Sequence, residues 1–100
     1  MEVRFKTNKL RKCYESSRQA QKLYGSKVAK KYIQRVTMLK SARCFEDLYR
    51  LPGLNFHPLS GNRQGQFAIK LTGFWRLIIV NDGDVFDIAK IEEVSDHYGD

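Results

Sequence analysis

One hundred residues and 11.7 kDa allow a single domain, residues 1–100, since a chain of this size buries roughly two-thirds of its unfolded surface around one modest core. Hydrophobic residues at 42%, with only two prolines and seven glycines, exclude long disordered stretches, and the longest apolar run, Leu77 to Val80, falls far short of the ~18 residues of a membrane span. The net charge of +7 is unevenly held: residues 1–45 carry 13 Lys/Arg against only Glu2 and Glu15, a net +11, while residues 46–100 carry 5 against 9 acids, a net −4, which makes the first half the expected polyanion face.

In chain order, Val3 and Phe5 alternate with charges as a short opening strand, and Thr7 or Asn8 can cap a helix. Leu10, Cys13, Ser17, Ala20 and Leu23 recur at helical spacing up to Gly25, a natural stop. Ser26 restarts a second helix with Val28, Tyr32, Val36 and Leu39 on one stripe and Lys27, Lys30, Lys31, Arg35 and Lys40 around the rest, so the pair reads as an antiparallel helical hairpin with a basic outer surface. A short amphipathic turn, Phe45 to Leu51, runs into the breaker Pro52-Gly53. Leu54 to Leu59 supplies a short edge strand interrupted by Pro58.

Beyond that point the period changes to two. Phe67, Ile69 and Leu71, then Trp75, Leu77 and Ile79, then Phe86, Ile88 and Val94 mark three antiparallel strands. Asp82-Gly83 signals a two-residue hairpin turn, which would set Val80 against Val85, Ile78 against Asp87 and Arg76 against Ala89. Phe86 and Ile88 then join Trp75, Leu77 and Ile79 under the helices, and Arg76 lies on the open face near Asp87. Lys70 comes opposite Arg76 only if the loop between their strands is the three residues Thr72 to Phe74. The outline is β-α-α-β-β-β-β, an α+β domain with the helices on one sheet face.

Several chemistries are excluded. The glycines at 61, 65 and 73 do not lead into a helix, so no phosphate-gripping loop is present. Cys13 and Cys44 lie 31 residues apart with no histidine or cysteine at metal-ligand spacing, and read as reduced thiols of a cytoplasmic protein. The start, Met1 to Lys6, lacks the apolar core of a signal peptide, and the helices lack the one-sided aromatic face of a membrane anchor. What remains is a polar set: His57, Asn62, Arg63, Gln64, Gln66, Arg76 and the ending Ser95-Asp96-His97-Tyr98. Metal-free RNA cleavage needs a base for the 2′-hydroxyl, cations for the phosphorane and an acid for the leaving oxygen, and these residue types cover all three. Composition by itself ends at a basic α+β domain that binds nucleic acid.

The run from His57-Pro58-Leu59 through Gly61-Asn62-Arg63-Gln64-Gly65-Gln66-Phe67-Ala68-Ile69, followed by Gly73-Phe74-Trp75-Arg76-Leu77 and Asp82-Gly83-Asp84-Val85, resembles the HigB killer family of the RelE/ParE toxin superfamily. The resemblance covers about half the chain. Phe67 stands where the family usually has Trp, and the ending reads Asp96-His97-Tyr98 instead of Asp-Tyr-His. It implies a RelE-like β-α-α-β-β-β(-β) fold, a helical hairpin packed on one face of a mainly antiparallel sheet. It further implies a type II toxin that cuts mRNA in the A site of the 70S ribosome until a cognate helix-turn-helix antitoxin sequesters it, with operator DNA contacted only through the antitoxin; no cofactor is implied, and the missing carboxylate cluster in the sequence points to metal independence. Position by position, His57 and His97 are similar to the family's acid/base histidines. Arg63 and Arg76 are similar to its phosphate-binding cations, and Asp96 and Tyr98 to its C-terminal polar residues. The reordered tail leaves open whether His97 or Tyr98 fills the terminal-histidine role. Ribosomal RNA would lie on the Lys/Arg-rich helices, including Lys27, Lys30, Lys31 and Arg35, with mRNA over the sheet near Arg76 and Lys70. The superfamily also contains ParE-like gyrase inhibitors, and a non-catalytic antitoxin-binding co-repressor is the remaining alternative.

Overall fold

Thr7 separates the opening strand from the first helix in the computed structural model, which describes residues 1–96. Strand β1 (Glu2–Phe5) is followed by α1 (Asn8–Glu15), whose Thr7 hydroxyl accepts the Leu10 N–H at 3.2 Å. The helix expected to run on to Gly25 stops early. Ser16 takes extended backbone angles, closes α1 through its N–H to Lys12 O, and opens α2 (Ser17–Tyr24) by accepting the Gln19 N–H on its hydroxyl. A serine side chain that competes for backbone donors favours such a break over an uninterrupted helix. The break also turns Leu23 outward to 45% exposure, while Leu10, Cys13 and Ala20 stay buried.

Gly25, with φ +83°, turns the chain into α3 (Ser26–Ser41). Val28, Tyr32, Val36 and Leu39 are all buried on the expected stripe, and Tyr32 donates its hydroxyl to Leu10 O at 2.7 Å, tying α3 to α1. Arg35 departs from the expected basic outer surface. It is buried, with Nε donating to Lys70 O at 3.0 Å and Nη2 to Gly53 O at 3.1 Å. Its place in the helical cycle, between Tyr32 and Val36, directs it inward, where the guanidinium fork satisfies two carbonyls of the facing chain.

After α4 (Phe45–Leu48), the strands are β2 (His57–Pro58), β3 (Gln66–Lys70), β4 (Arg76–Asn81) and β5 (Ile88–Ser95). They form one sheet in the order β1-β5-β4-β3-β2, with β1 parallel to β5 and the other pairings antiparallel. The expected strand over 54–59 shortens to two residues. Lys70 does pair with Arg76, as the three-residue loop requires.

The β4–β5 connection corrects the expected register. Six residues, 82–87, replace the two-residue turn. Asn81 Oδ1 accepts the N–H groups of both Gly83 and Ile88, and its Nδ2 donates to Asp87 Oδ1 at 2.8 Å. Asp87 Oδ2 accepts the Phe45 N–H at 2.7 Å, so this carboxylate anchors the loop to the start of α4 and is not the partner of Arg76. Gly83 is needed for space, since a Cβ there would sit 1.8 Å from Phe86 O. The longer loop puts Val85 and Phe86 in solvent at 86% and 82% exposure. The phase of β5 consequently inverts: Ala89 and Ile91 enter the core in place of Ile88. A one-residue bulge follows, with Ile79 opposite Ile91 but Ile78 opposite Glu93, so that Arg76 faces Ser95.

Two measurements check this packing. Arg35→Met is expected to cost about 2–3 kcal/mol in urea unfolding, the loss of charge-assisted bonds to two part-buried carbonyls, while Lys30→Met, on an exposed position, stays within about 0.5 kcal/mol. Burial raises the Tyr24 phenol from 10.0 to about 12, with smaller contributions from Cys13, and pushes Tyr32 higher still. The unfolded phenols therefore ionise first as pH rises. Stability is full below pH 10, falls toward pH 12, and Tyr24→Phe flattens that decline.

Candidate functional site

Directly paired residues of a sheet share a face, and the registers sort the candidate side chains into rows on the face turned away from the helices. His57, Ala68, Ile78 and Glu93 form one row, Lys70, Arg76 and Ser95 the row beside it, and Gln66, Val80 and Lys90 a third. Leu77, Ile79, Ile69 and Ile91 alternate with them and belong to the core cluster under the helices. His57, Lys70 and Arg76, distant in sequence, are thus neighbours across three strands.

Each is held differently. His57 Nδ1 lies 2.8 Å from Asn55 O; a carbonyl only accepts, so Nδ1 carries a proton and Nε2 is the nitrogen through which the ring can exchange one. Asn55 itself has φ +48°, a turn conformation that asparagine tolerates. Arg76 is 6% exposed, and its Nη1 donates to Gly73 O at 2.7 Å and to Trp75 O at 2.9 Å, so its own turn fixes the guanidinium. Lys70 is exposed at the end of β3.

Arg63 comes from a 3-10 turn, Gly61–Arg63, between β2 and β3. Nη1 and Nη2 both reach Glu93 Oε1 at 3.1 Å, and Nη1 also donates to Gln66 Oε1 at 3.1 Å. The pair is part-exposed, at 30% and 47% of the two side chains, an arrangement that contributes little to stability and is easily exchanged for a better anion. Ser95 is buried opposite Arg76, and Asp96 is exposed just beyond it. His97 and Tyr98 lie outside the described residues.

Lys27, Lys30 and Lys31 gather elsewhere, lining with Gln34 and Thr72 a cavity of about 260 Å³ between α3 and the β3–β4 turn. Arg35, grouped with them on sequence, is engaged with backbone carbonyls instead, and burial lowers its pKa. A larger, mainly apolar groove of about 550 Å³, lined by Met38, Ala42 and Leu51 among others, contains none of the expected site residues. Cys13 and Cys44 are free thiols, and burial raises the Cys13 pKa, which keeps that thiol unreactive. Among the described residues no group of three or more His, Cys, Asp and Glu could hold a metal ion.

Nothing in the local sequence marks Glu93 or Thr72 as a neighbour of these cations, whereas Gln66, already in the polar set, meets Arg63 from three residues away. Glu93 reaches Arg63 only through the bulged register, which no local spacing signals. Together the site groups can accept a proton at His57 Nε2 and surround an anion with Arg63, Lys70 and Arg76.

The family model described as a RelE-like toxin of the type II toxin-antitoxin system HigB matches residues 3–91. No curated protein matches the sequence. Among solved structures six chains match, one of them a YoeB/ParE toxin from Agrobacterium tumefaciens that is 16% identical, covers 98% of this chain and 100% of its own, and superposes with a TM-score of 0.60. At that identity the likeness speaks for the fold.

The Arg63 to Glu93 pair carries its own test. Glu93→Gln removes the competing carboxylate, and affinity for a short polyanion, read by titration with a labelled oligonucleotide at low salt, is expected to rise about threefold to tenfold, while Arg63→Gln lowers it. No change in either variant would mean that Arg63 does not meet the polyanion.

Proposed function

The chain belongs to the HigB-like family of RelE-like type II toxins, and from that premise we propose that this toxin is an endoribonuclease that cuts mRNA in the ribosomal A site by 2′-hydroxyl attack. The observation that carries the reading is the meeting of His57 and Arg76 on adjacent rows of one sheet face, with Arg63 folded over the same face. In this reading His57 Nε2 takes the 2′-hydroxyl proton as the 2′-oxygen attacks phosphorus. Arg76, with Arg63 and Lys70, neutralises the charge of the five-coordinate phosphorane. The 5′-oxygen leaves with a proton supplied from the segment Asp96, His97 and Tyr98, giving a 2′,3′-cyclic phosphate. Every proton and charge in the sequence has a side chain to handle it, so the proposal calls for no metal or other cofactor.

Arg76 suits its role because its guanidinium is oriented before substrate arrives; a preformed charge needs no reorganisation at the moment of reaction. Arg63 must first leave Glu93, so it acts as the exchangeable member of the set. The basic helical layer provides the field that draws the protein to ribosomal RNA. Membership of a type II family implies an antitoxin partner. We take that partner to be a helix-turn-helix protein that neutralises the toxin and supplies all contact with operator DNA. No helix of the described residues is long and apolar enough to cross a membrane, and the ribosomal target assigns the activity to the cytoplasm.

Primer extension on a defined message, with and without programmed 70S ribosomes, tests the reading. Cuts are expected on ribosome-bound message alone. His57→Ala is expected to slow single-turnover cleavage by about 10²- to 10⁴-fold, the usual cost of losing a general base, and the double variant His97→Ala with Tyr98→Phe to slow it comparably. Intact message under all conditions would overturn the nuclease proposal and direct attention to a gyrase assay.

A further inference from the structure

We propose that the junction of α3 with the β3–β4 turn is a second binding site, which grips the phosphate backbone of single-stranded RNA and stacks one unpaired base beside the sheet face. The identity of the polymer rests on the cleavage reading above; the site itself rests on observations independent of it.

Lys27, Lys30 and Lys31 stand at i, i+3 and i+4 in α3, which puts three like charges on one side of the helix, an arrangement that is unfavourable without an anion between them. The first turn of α3 holds no acidic residue. Among the described residues none of these lysines takes part in an ion pair, a property they share with Lys9, Lys12 and Lys22 of α1 and α2; what sets them apart is the cavity that they line together. The cavity they line with Gln34 and Thr72 measures about 260 Å³. The residues that line it, three lysines, a glutamine and a threonine, carry donors that suit the several acceptor oxygens of a phosphodiester.

Thr72 connects this cavity to the sheet face. The turn it opens is cross-linked: Trp75 N–H donates to Thr72 O at 2.9 Å, Leu71 N–H to Trp75 O at 3.1 Å, and Arg76 Nη1 to Gly73 O at 2.7 Å. At its tip Phe74 is 74% exposed. A cross-linked turn that exposes Phe74, with Thr72 lining the lysine cavity and Gly73 bonded to Arg76, has the two parts of a single-strand binder: a cationic track and a stacking platform. Base stacking on Phe74 tolerates any base, because the ring offers a face and no hydrogen bond. Duplex RNA keeps its bases paired and stacked, and gains nothing from the ring.

Binding of the full chain to a labelled RNA octamer carrying 2′-O-methyl groups throughout, followed by fluorescence anisotropy over a range of salt, separates the parts. The 2′-O-methyl groups block attack, so the titration reads binding whether or not the protein is a nuclease. Replacing Lys27, Lys30 and Lys31 together by Gln is expected to weaken binding at least tenfold at 0.1 M salt and to reduce the log–log salt slope by about 2, roughly 0.7 for each phosphate that is no longer neutralised. The same charge removed at Lys9, Lys12 and Lys22 should leave the slope near wild type. Phe74→Leu, which keeps an apolar side chain but removes the ring, is expected to weaken binding about tenfold with the slope unchanged, and to leave the affinity for a hairpin duplex unaltered. Equal slope losses for the two lysine triples would reduce the cavity to diffuse charge and overturn the site. Wild-type affinity in Phe74→Leu, or equal sensitivity of the duplex to it, would overturn the stacking platform. Absence of ribosomal cleavage overturns only the nuclease proposal, and cleavage accompanied by unchanged slopes overturns only this site.

Discussion

A single extra residue in β5 determines what the sheet displays. Glu92 bulges between Ile91, which faces Ile79, and Glu93, which faces Ile78. Up to that point the strand buries Ala89 and Ile91 under the helices; past it Val94 packs against the core and Glu93 and Ser95 turn to the opposite face. A regular ladder would pair Arg76 with Val94 and carry Ser95 and Glu93 out of their rows. With the bulge, Arg76 meets Ser95, Asp96 emerges beside it, and Glu93 comes within reach of Arg63. Bulges re-aim side chains at a modest cost in ladder hydrogen bonds, and here the re-aimed side chains are those of the candidate site. Glu92 keeps its own carboxylate near Lys6 and Lys90 at the strand surface.

Three arginines of this chain do three different physical jobs, set by what their guanidinium forks face. Arg35 bridges α3 to the carbonyls of Lys70 and Gly53, so it fastens the helical layer to the end of β3, close to where Lys70 presents its ammonium group. Arg76 turns back on its own turn at Gly73 and Trp75, which fixes the charge in place before any ligand arrives. Arg63 is held by a half-exposed carboxylate and an amide, a weak enough arrangement to be exchanged for phosphate. Planar, permanently charged forks are suited to all three tasks, so residue type gives no guide to which arginine is structural.

The distribution of charge follows the layers. The strongly basic first half forms β1 and the helical layer, and the acidic second half is mostly sheet and loops. Acids are concentrated where they organise structure: Asp87 anchors the β4–β5 loop to α4, Asp47 pairs with Arg43 and Arg50, and Asp82 reaches Arg4. The Arg43 guanidinium holds the Asp47 carboxyl below its ordinary pKa. The lysines of α3 receive no such partner among the described residues, which leaves the positive potential intact at the edge where the helical layer meets the β3–β4 turn.

The sequence by itself determined the α+β class, a helix cap at Thr7 or Asn8, the buried stripe of α3, the core residues Leu77 and Ile79 and the family, because periodicity, capping and short motifs are local and each leaves its mark within a few residues; the structure then chose Thr7 for the cap and the loop length that pairs Lys70 with Arg76. The break at Ser16 is local, made by a serine that bonds Lys12 O and the Gln19 N–H, whereas tertiary structure decided the inward turn of Arg35, the six-residue loop that exposes Val85 and Phe86, and the bulge at Glu92. Arg35 and the loop depend on which distant group offers a donor or acceptor: Gly53 O and Lys70 O for Arg35, and Phe45 N–H for Asp87, the residue that otherwise read as a partner of Arg76. Competition among hydrogen-bond partners brought together by folding has no periodic signature. The types of residue in the candidate site were therefore legible along the chain, while their neighbours, Glu93 for Arg63 and Ser95 for Arg76, were set by a register that only the assembled sheet could choose.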